Sequence, residues 1–132
     1  MYLGFSSNAY TNYDVIDAIH SISSIGFSGI ELLIDHPHIF LPITNEKIFN
    51  IKNKIKKDGI SISNLNVNTV LGWYEKKQNA NKFEPSLSNP DPKLRNWRIS
   101  YSKKAIDLAV RLDSTSICVT SGNMNKTNAF EE

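Results

Sequence analysis

Apolar residues follow two spacings along this chain, and the chain switches between them repeatedly. Short runs such as Tyr2 to Phe5 and Ile30-Glu31-Leu32-Leu33-Ile34 have the density of strands buried on both faces, Ile60 to Val67 alternates partly, as a strand near a sheet edge or a barrel wall would, and Ser116 to Thr120 reads as a fourth strand. Between them, apolar residues recur every three or four positions, as on one buried face of a helix. Val15, Ile16, Ala18, Ile19, Ile22 and Ile25 form the first such stripe, with Asn12 as the expected cap and Gly26 as the terminator. Ile48, Ile51 and Ile55 form the second, after Pro42 and Thr44. Lys52, Lys54, Lys56 and Lys57 point largely outward there, and Asp58-Gly59 closes the helix. Asp91-Pro92 opens the third, whose inner face reads Leu94, Trp97, Tyr101, Ala105, Leu108 and Leu112.

Strands alternating with helices predict an α/β fold with a parallel sheet. At about 30 residues per repeating unit, four strands and three helices account for the 132 residues. A closed (β/α)8 barrel takes roughly 250 residues. The expectation is therefore a partial TIM barrel, with residues 1–132 forming a single N-terminal portion, truncated or split from something larger. The stretch 68–92 holds Gly72, Trp73, Tyr74, Pro85 and Pro90 and is longer than an ordinary connection, which predicts a functional loop.

Composition narrows the class. The chain is 40% hydrophobic and 21% charged, with a net charge of +2. It has enough apolar material for a core and too little clustered Lys and Arg to indicate nucleic acid. Nothing in it resembles a membrane span or a secretory leader, so the expectation is a cytoplasmic protein. Cys118, inside Ile117-Cys118-Val119, is expected to be a small buried hydrophobe.

Candidate chemistry lies at the strand ends, where parallel α/β folds gather their ligands. Glu31 is a carboxylate embedded in an apolar strand and needs a partner. Asn8, Tyr10, Asn66 and Asn68 offer neutral donors and acceptors suited to hydroxyl groups, although Asn also favours turns for its own reasons. Trp73 offers an aromatic face for an apolar ligand surface, or packs the long loop. Glu84 is a further loop carboxylate. His36 and His38 sit in the loop Asp35-His36-Pro37-His38, and two histidines do not complete a metal site. His38 alone is held over as a candidate ligand.

Taken in order, Ser7-Asn8-Ala9-Tyr10-Thr11, Gly26-Phe27-Ser28-Gly29-Ile30-Glu31, Asp35-His36-Pro37-His38, Asn64-Leu65-Asn66 and Glu84-Pro85 resemble the opening half of the xylose isomerase-like TIM-barrel proteins, the sugar phosphate isomerase/epimerase group. The resemblance implies a sugar or polyol substrate and a divalent metal (Mn, Mg, Co or Zn) that makes a C–H next to a carbonyl acidic enough for a carboxylate base. It implies that most metal ligands lie in the second half of the barrel, so that this chain alone is expected to bind metal weakly and to be inactive. Its substrate-binding candidates become Asn8, Tyr10, Glu31, His38, Asn66 and Trp73. Two other readings stay open. One is the related apurinic-endonuclease branch, a zinc phosphodiesterase; the other is a non-catalytic fragment that self-associates or pairs with a complementary C-terminal half.

Overall fold

The computed structural model describes residues 3–68, 70–74 and 83–122. Its elements in chain order are β1 (Gly4–Ser6), a 3-10 turn (Ser7–Tyr10), α1 (Val15–Ser24), β2 (Gly29–Leu33), α2 (Asn45–Asp58), β3 (Ser61–Asn66), α3 (Leu71–Tyr74), α4 (Pro92–Arg111) and β4 (Ile117–Cys118). The four strands make one sheet in the order β1-β2-β3-β4, every pair parallel. This is the α/β partial TIM barrel that the alternation predicts. The short helix α3 is additional to the three expected, and falls within the long connection. Part of that connection, like Tyr2 of the first apolar run, lies outside the described residues.

Local chemistry sets the helix ends. Thr44 caps α2 by accepting the Lys47 N–H, and Asp91 caps α4 by accepting the Lys93 N–H, with Pro92 in the first turn. Gly59 ends α2 in the left-handed conformation, φ 67°, which costs a glycine little. For α1 the cap is Asp14, not Asn12. Its carboxylate accepts the N–H groups of Ile16 and Asp17 at 2.7 and 2.9 Å. Asn12 sits too far before the first helical residue, Val15, to occupy the cap position.

The core lies between the sheet and the helices. Val15, Ala18, Ile19 and Ile22 of α1, Ile48 and Ile51 of α2, and Tyr101, Ala105, Leu108 and Ala109 of α4 pack over Ile30, Leu32 and Leu65. Fully burying one such Ile or Leu is worth about 1.5–3 kcal/mol, so these stripes hold the helices in place. Because residues alternate across a strand, the opposite face of the sheet carries Ser6, Glu31, Asn64 and Asn66. Cys118 corrects an expectation. It is exposed, because among the described residues β4 pairs on one side only and Cys118, opposite Asn66, lies on this second face away from the helices.

Candidate functional site

Glu31 is the centre of the polar face. Its Oε1 accepts the Ser6 hydroxyl at 2.7 Å and the Asn66 Nδ2 at 3.3 Å, and its Oε2 accepts the Asn64 Nδ2 at 2.7 Å. The register explains the convergence. Ser6 stands opposite Glu31 on β1, and an irregularity at Ile30/Glu31 skips Ser63 so that Asn64 stands opposite Glu31 on β3. Asn64 Oδ1 lies 3.0 Å from the Ser116 hydroxyl, which is also 3.1 Å from the Ser63 carbonyl. A polar line thus crosses all four strands, from Ser6 through Glu31 and Asn64 to the start of β4.

The amides are oriented by their other bonds. Asn66 Oδ1 accepts the Asn68 N–H at 3.2 Å, which leaves its Nδ2 to face Glu31. Asn68 Oδ1 in turn accepts the Thr120 N–H at 2.7 Å. Among the described residues, the groups bonded to Glu31 are neutral donors. Glu31 is therefore a positioned, half-buried carboxylate that keeps acceptor capacity for a hydroxyl-bearing ligand.

His38 is placed differently. It is fully buried, with Nδ1 3.0 Å from the Ser7 hydroxyl and Nε2 3.2 Å from the Tyr10 carbonyl. A carbonyl only accepts, so Nε2 carries the proton, and in the neutral ring Nδ1 accepts from Ser7. Ser7 in turn accepts the Leu33 N–H at 2.9 Å. His38 therefore ties the turn after β1 to the loop after β2, with both nitrogens in use. Burial holds the imidazole below its ordinary value of 6.5, against the opposing pull of the Tyr10 and Tyr13 carbonyls and of Asp14 and with a further push from Lys47.

That shift has a measurable consequence. Below the ordinary value the unfolded chain takes up a proton that the folded chain resists, so the stability His38 contributes is present above it and is lost as pH falls toward the folded value. Urea midpoints are expected to drop between pH 7.5 and 5, and His38→Gln should remove that part of the drop. An unchanged pH slope in the variant would assign the effect elsewhere.

The other sequence candidates scatter. Asn8 is exposed in the 3-10 turn, and its N–H donates to the Ser6 hydroxyl at 3.3 Å. Tyr10 is half-buried and contributes its carbonyl to His38. Trp73 lies in an aromatic group apart from Glu31: its ring centroid is 4.4 Å from that of Trp97, which stacks on Tyr101 at 5.0 Å, and Tyr101 stacks on Phe40 at 5.4 Å. Phe40, Leu41, Gly72, Trp73, Trp97 and Tyr101 border a cleft of about 280 Å³ there. Of the substrate candidates, then, the structure brings Glu31 and Asn66 together directly. Ser6, Asn64 and Ser116 join them without having been singled out. For Asn64 the signal existed, since it sits two before Asn66 on an alternating strand.

No group of three or more His, Cys, Asp or Glu side chains suited to a metal occurs among the described residues. The described residues do not make a metal centre by themselves.

Comparison with known proteins agrees with the fold. No curated protein matches the chain in sequence. The crystal structure of D-psicose 3-epimerase in the presence of D-fructose superposes with a TM-score of 0.67 at 15% identity, covering 100% of this chain and 42% of that one. A family 2 AP endonuclease from Brucella melitensis superposes with a TM-score of 0.59 at 15% identity, covering 92% of this chain and 42% of that one. At such identity the likeness shows the fold alone, and the chain spans less than half the length of either protein. A family described as "Xylose isomerase-like TIM barrel" matches residues 19–132, and to that family the chain belongs.

Proposed function

We propose that this chain supplies the sugar-facing wall of an isomerase- or epimerase-type barrel, with Glu31 as the acceptor for a ligand hydroxyl and Asn64 and Asn66 as its orienting amides. The observation that carries the reading is the polar line across the sheet: a carboxylate held by Ser6, Asn64 and Asn66 on the face away from the helices. Neutral donors around one carboxylate suit a polyhydroxy ligand, which needs directional acceptors more than charge. The epimerase neighbour supports the same substrate class. A divalent metal belongs to this proposal only through ligands beyond those described. Association through the open edges of β1 and β4, with a second copy or a complementary half, belongs to it too, as does a cytoplasmic setting, which suits a free exposed cysteine.

The AP endonuclease neighbour makes nucleic acid the competing ligand. A phosphodiester backbone calls for exposed Lys or Arg, whereas the polar face presents Ser6, Glu31, Asn64 and Asn66. The test is an NMR titration that follows the Asn64 and Asn66 side-chain amides against D-fructose and against an abasic oligonucleotide. D-fructose is expected to shift both amides, and Glu31→Gln to weaken the response about tenfold or more, the loss of a charge-assisted hydrogen bond of roughly 1.5–3 kcal/mol. A response to the oligonucleotide alone would replace the sugar reading with the phosphodiester one.

A further inference from the structure

Strand β4 is the shortest in the sheet. It consists of Ile117 and Cys118, and it meets β3 where the Leu65 N–H donates to the Ser116 carbonyl at 3.1 Å and the Val67 N–H to the Cys118 carbonyl at 2.8 Å. Both amides of the polar face nevertheless take their orientation from this segment. At its start the Ser116 hydroxyl lies 3.0 Å from Asn64 Oδ1, which leaves Asn64 Nδ2 to face Glu31. Past its end the Thr120 N–H donates to Asn68 Oδ1 at 2.7 Å, and the Asn68 N–H occupies Asn66 Oδ1, so that Asn66 Nδ2 also faces Glu31.

The far end of the same segment is seated on the loop that leads into α4. The Ser88 N–H donates to the Ser121 carbonyl at 2.9 Å. Gly122, φ 114°, approaches this loop so closely that a Cβ on it would overlap the side chain of Ser86, which is fully buried. The loop is tied into one shape. Glu84 accepts the Ser86 N–H at 2.8 Å, the Ser86 hydroxyl at 3.0 Å and the Asn89 side-chain amide. The Asn89 carbonyl accepts Arg95 Nη1 at 2.7 Å and its Oδ1 accepts the Asp91 N–H at 2.9 Å, which fixes the loop to the start of α4.

We propose that the loop 84–89 is a latch on the polar face: by seating Ser121 and Gly122 it keeps β4 docked, and so keeps Asn64 and Asn66 aimed at Glu31. Each backbone bond to β4 adds only about 0.5–1.5 kcal/mol net, so the contacts at its far end weigh as much as its own pairing in the balance between a docked and an undocked strand. The consequence for affinity rests on reading that face as a ligand site. A ligand held by Glu31 and both amides favours the docked strand, and by linkage a seated loop favours the ligand.

Amide hydrogen exchange on the ligand-free 132-residue chain tests the latch, with the buried Ile19 of α1 and Leu32 of β2 reporting global opening. Gly122→Ala crowds Ser86 from the strand side, and Glu84→Ala opens the loop from the other. Each is expected to speed exchange at Leu65, Val67 and Thr120 about fivefold or more relative to those reporters, the scale of one lost backbone contact. The side-chain amide signals of Asn64 and Asn66 should move in both variants, and D-fructose should bind each of them more weakly than wild type. A wild-type chain that ignores D-fructose would sink the ligand reading alone, since exchange decides the latch without sugar. Faster exchange at Ser88 with no change at Leu65, Val67 and Thr120 overturns the latch, because the loop would then lie on β4 without holding it. A uniform change that includes Ile19 and Leu32 overturns it too. If Gly122→Ala does not fold, Glu84→Ala decides by the same amides.

Discussion

Asp35→Ala is expected to cost about 3–5 kcal/mol, among the largest losses of any single substitution in this chain. The carboxylate is 3% exposed and accepts four backbone N–H groups, that of His36 at 2.8 Å together with those of Val70, Leu71 and Gly72. Each bond to a charged acceptor is worth roughly 1.5–3 kcal/mol, and each buried donor left without a partner costs about 1–3 kcal/mol. The full sum will not appear, because water can reach the half-buried amides once the carboxylate is gone. Gly72 adds a packing constraint: a Cβ there would meet the Phe40 ring at 2.1 Å, so α3 is seated directly on that ring. Losing the Asp35 anchor should therefore free Trp73 from Trp97 and shift tryptophan fluorescence to the red. Urea denaturation gives the stability change, and Asp35→Asn should lose less, since its oxygen still accepts. A loss below about 1 kcal/mol for the alanine variant would mean that water replaces the carboxylate at little cost.

Leu32→Ala is expected to cost about 3–4 kcal/mol, within the range for large-to-small changes in a core. Leu32 is fully buried on an inner strand of the sheet and belongs to the cluster that α1, α2 and α4 cover. Its neighbour Glu31 points to the opposite face, so Glu31→Gln should cost less stability than Leu32→Ala while weakening the ligand response about tenfold or more. Adjacent residues on one strand thus give opposite readouts: one variant unfolds easily but still binds when folded, and the other folds but binds poorly. Urea denaturation of both, beside the D-fructose titration, checks the contrast. Equal stability losses for the two variants would place Glu31 in the structural frame of the sheet.

The helices were legible because their signals are local. Thr44, Asp91-Pro92 and Gly59 act on amides and carbonyls within a turn of themselves. Asp14 was missed in favour of Asn12 because both can cap, and only the start of the helix at Val15 distinguishes them. Cys118 misled for a different reason: an apolar run says nothing about whether a strand is covered, and among the described residues β4 pairs with β3 alone. Arg98, buried on α4, falls three or four positions from Leu94 and Tyr101, so the spacing pointed inward while the residue type argued outward.

At the polar face the limit was register. Glu31 and Asn66 were visible as polar residues on apolar strands. The irregularity that sets Glu31 opposite Asn64 is a property of two strands together. The partners of His38, Ser7 and Tyr10, lie 31 and 28 residues away, a pairing no local pattern carries.

The order β1-β2-β3-β4 also bears on how the chain is made. Each strand, once it leaves the ribosome, docks on the one synthesised before it, and the newest strand offers its far edge until the next arrives. The longest wait falls between Asn66 and Ile117, since the connection between β3 and β4 is the longest in the sheet. At roughly 5–20 residues per second that interval lasts about 3–10 s. Throughout it the N–H groups of Leu65 and Val67, which later donate to Ser116 and Cys118, remain unpaired. The far edge of β3 is thus most open to mispairing while translation passes through that connection.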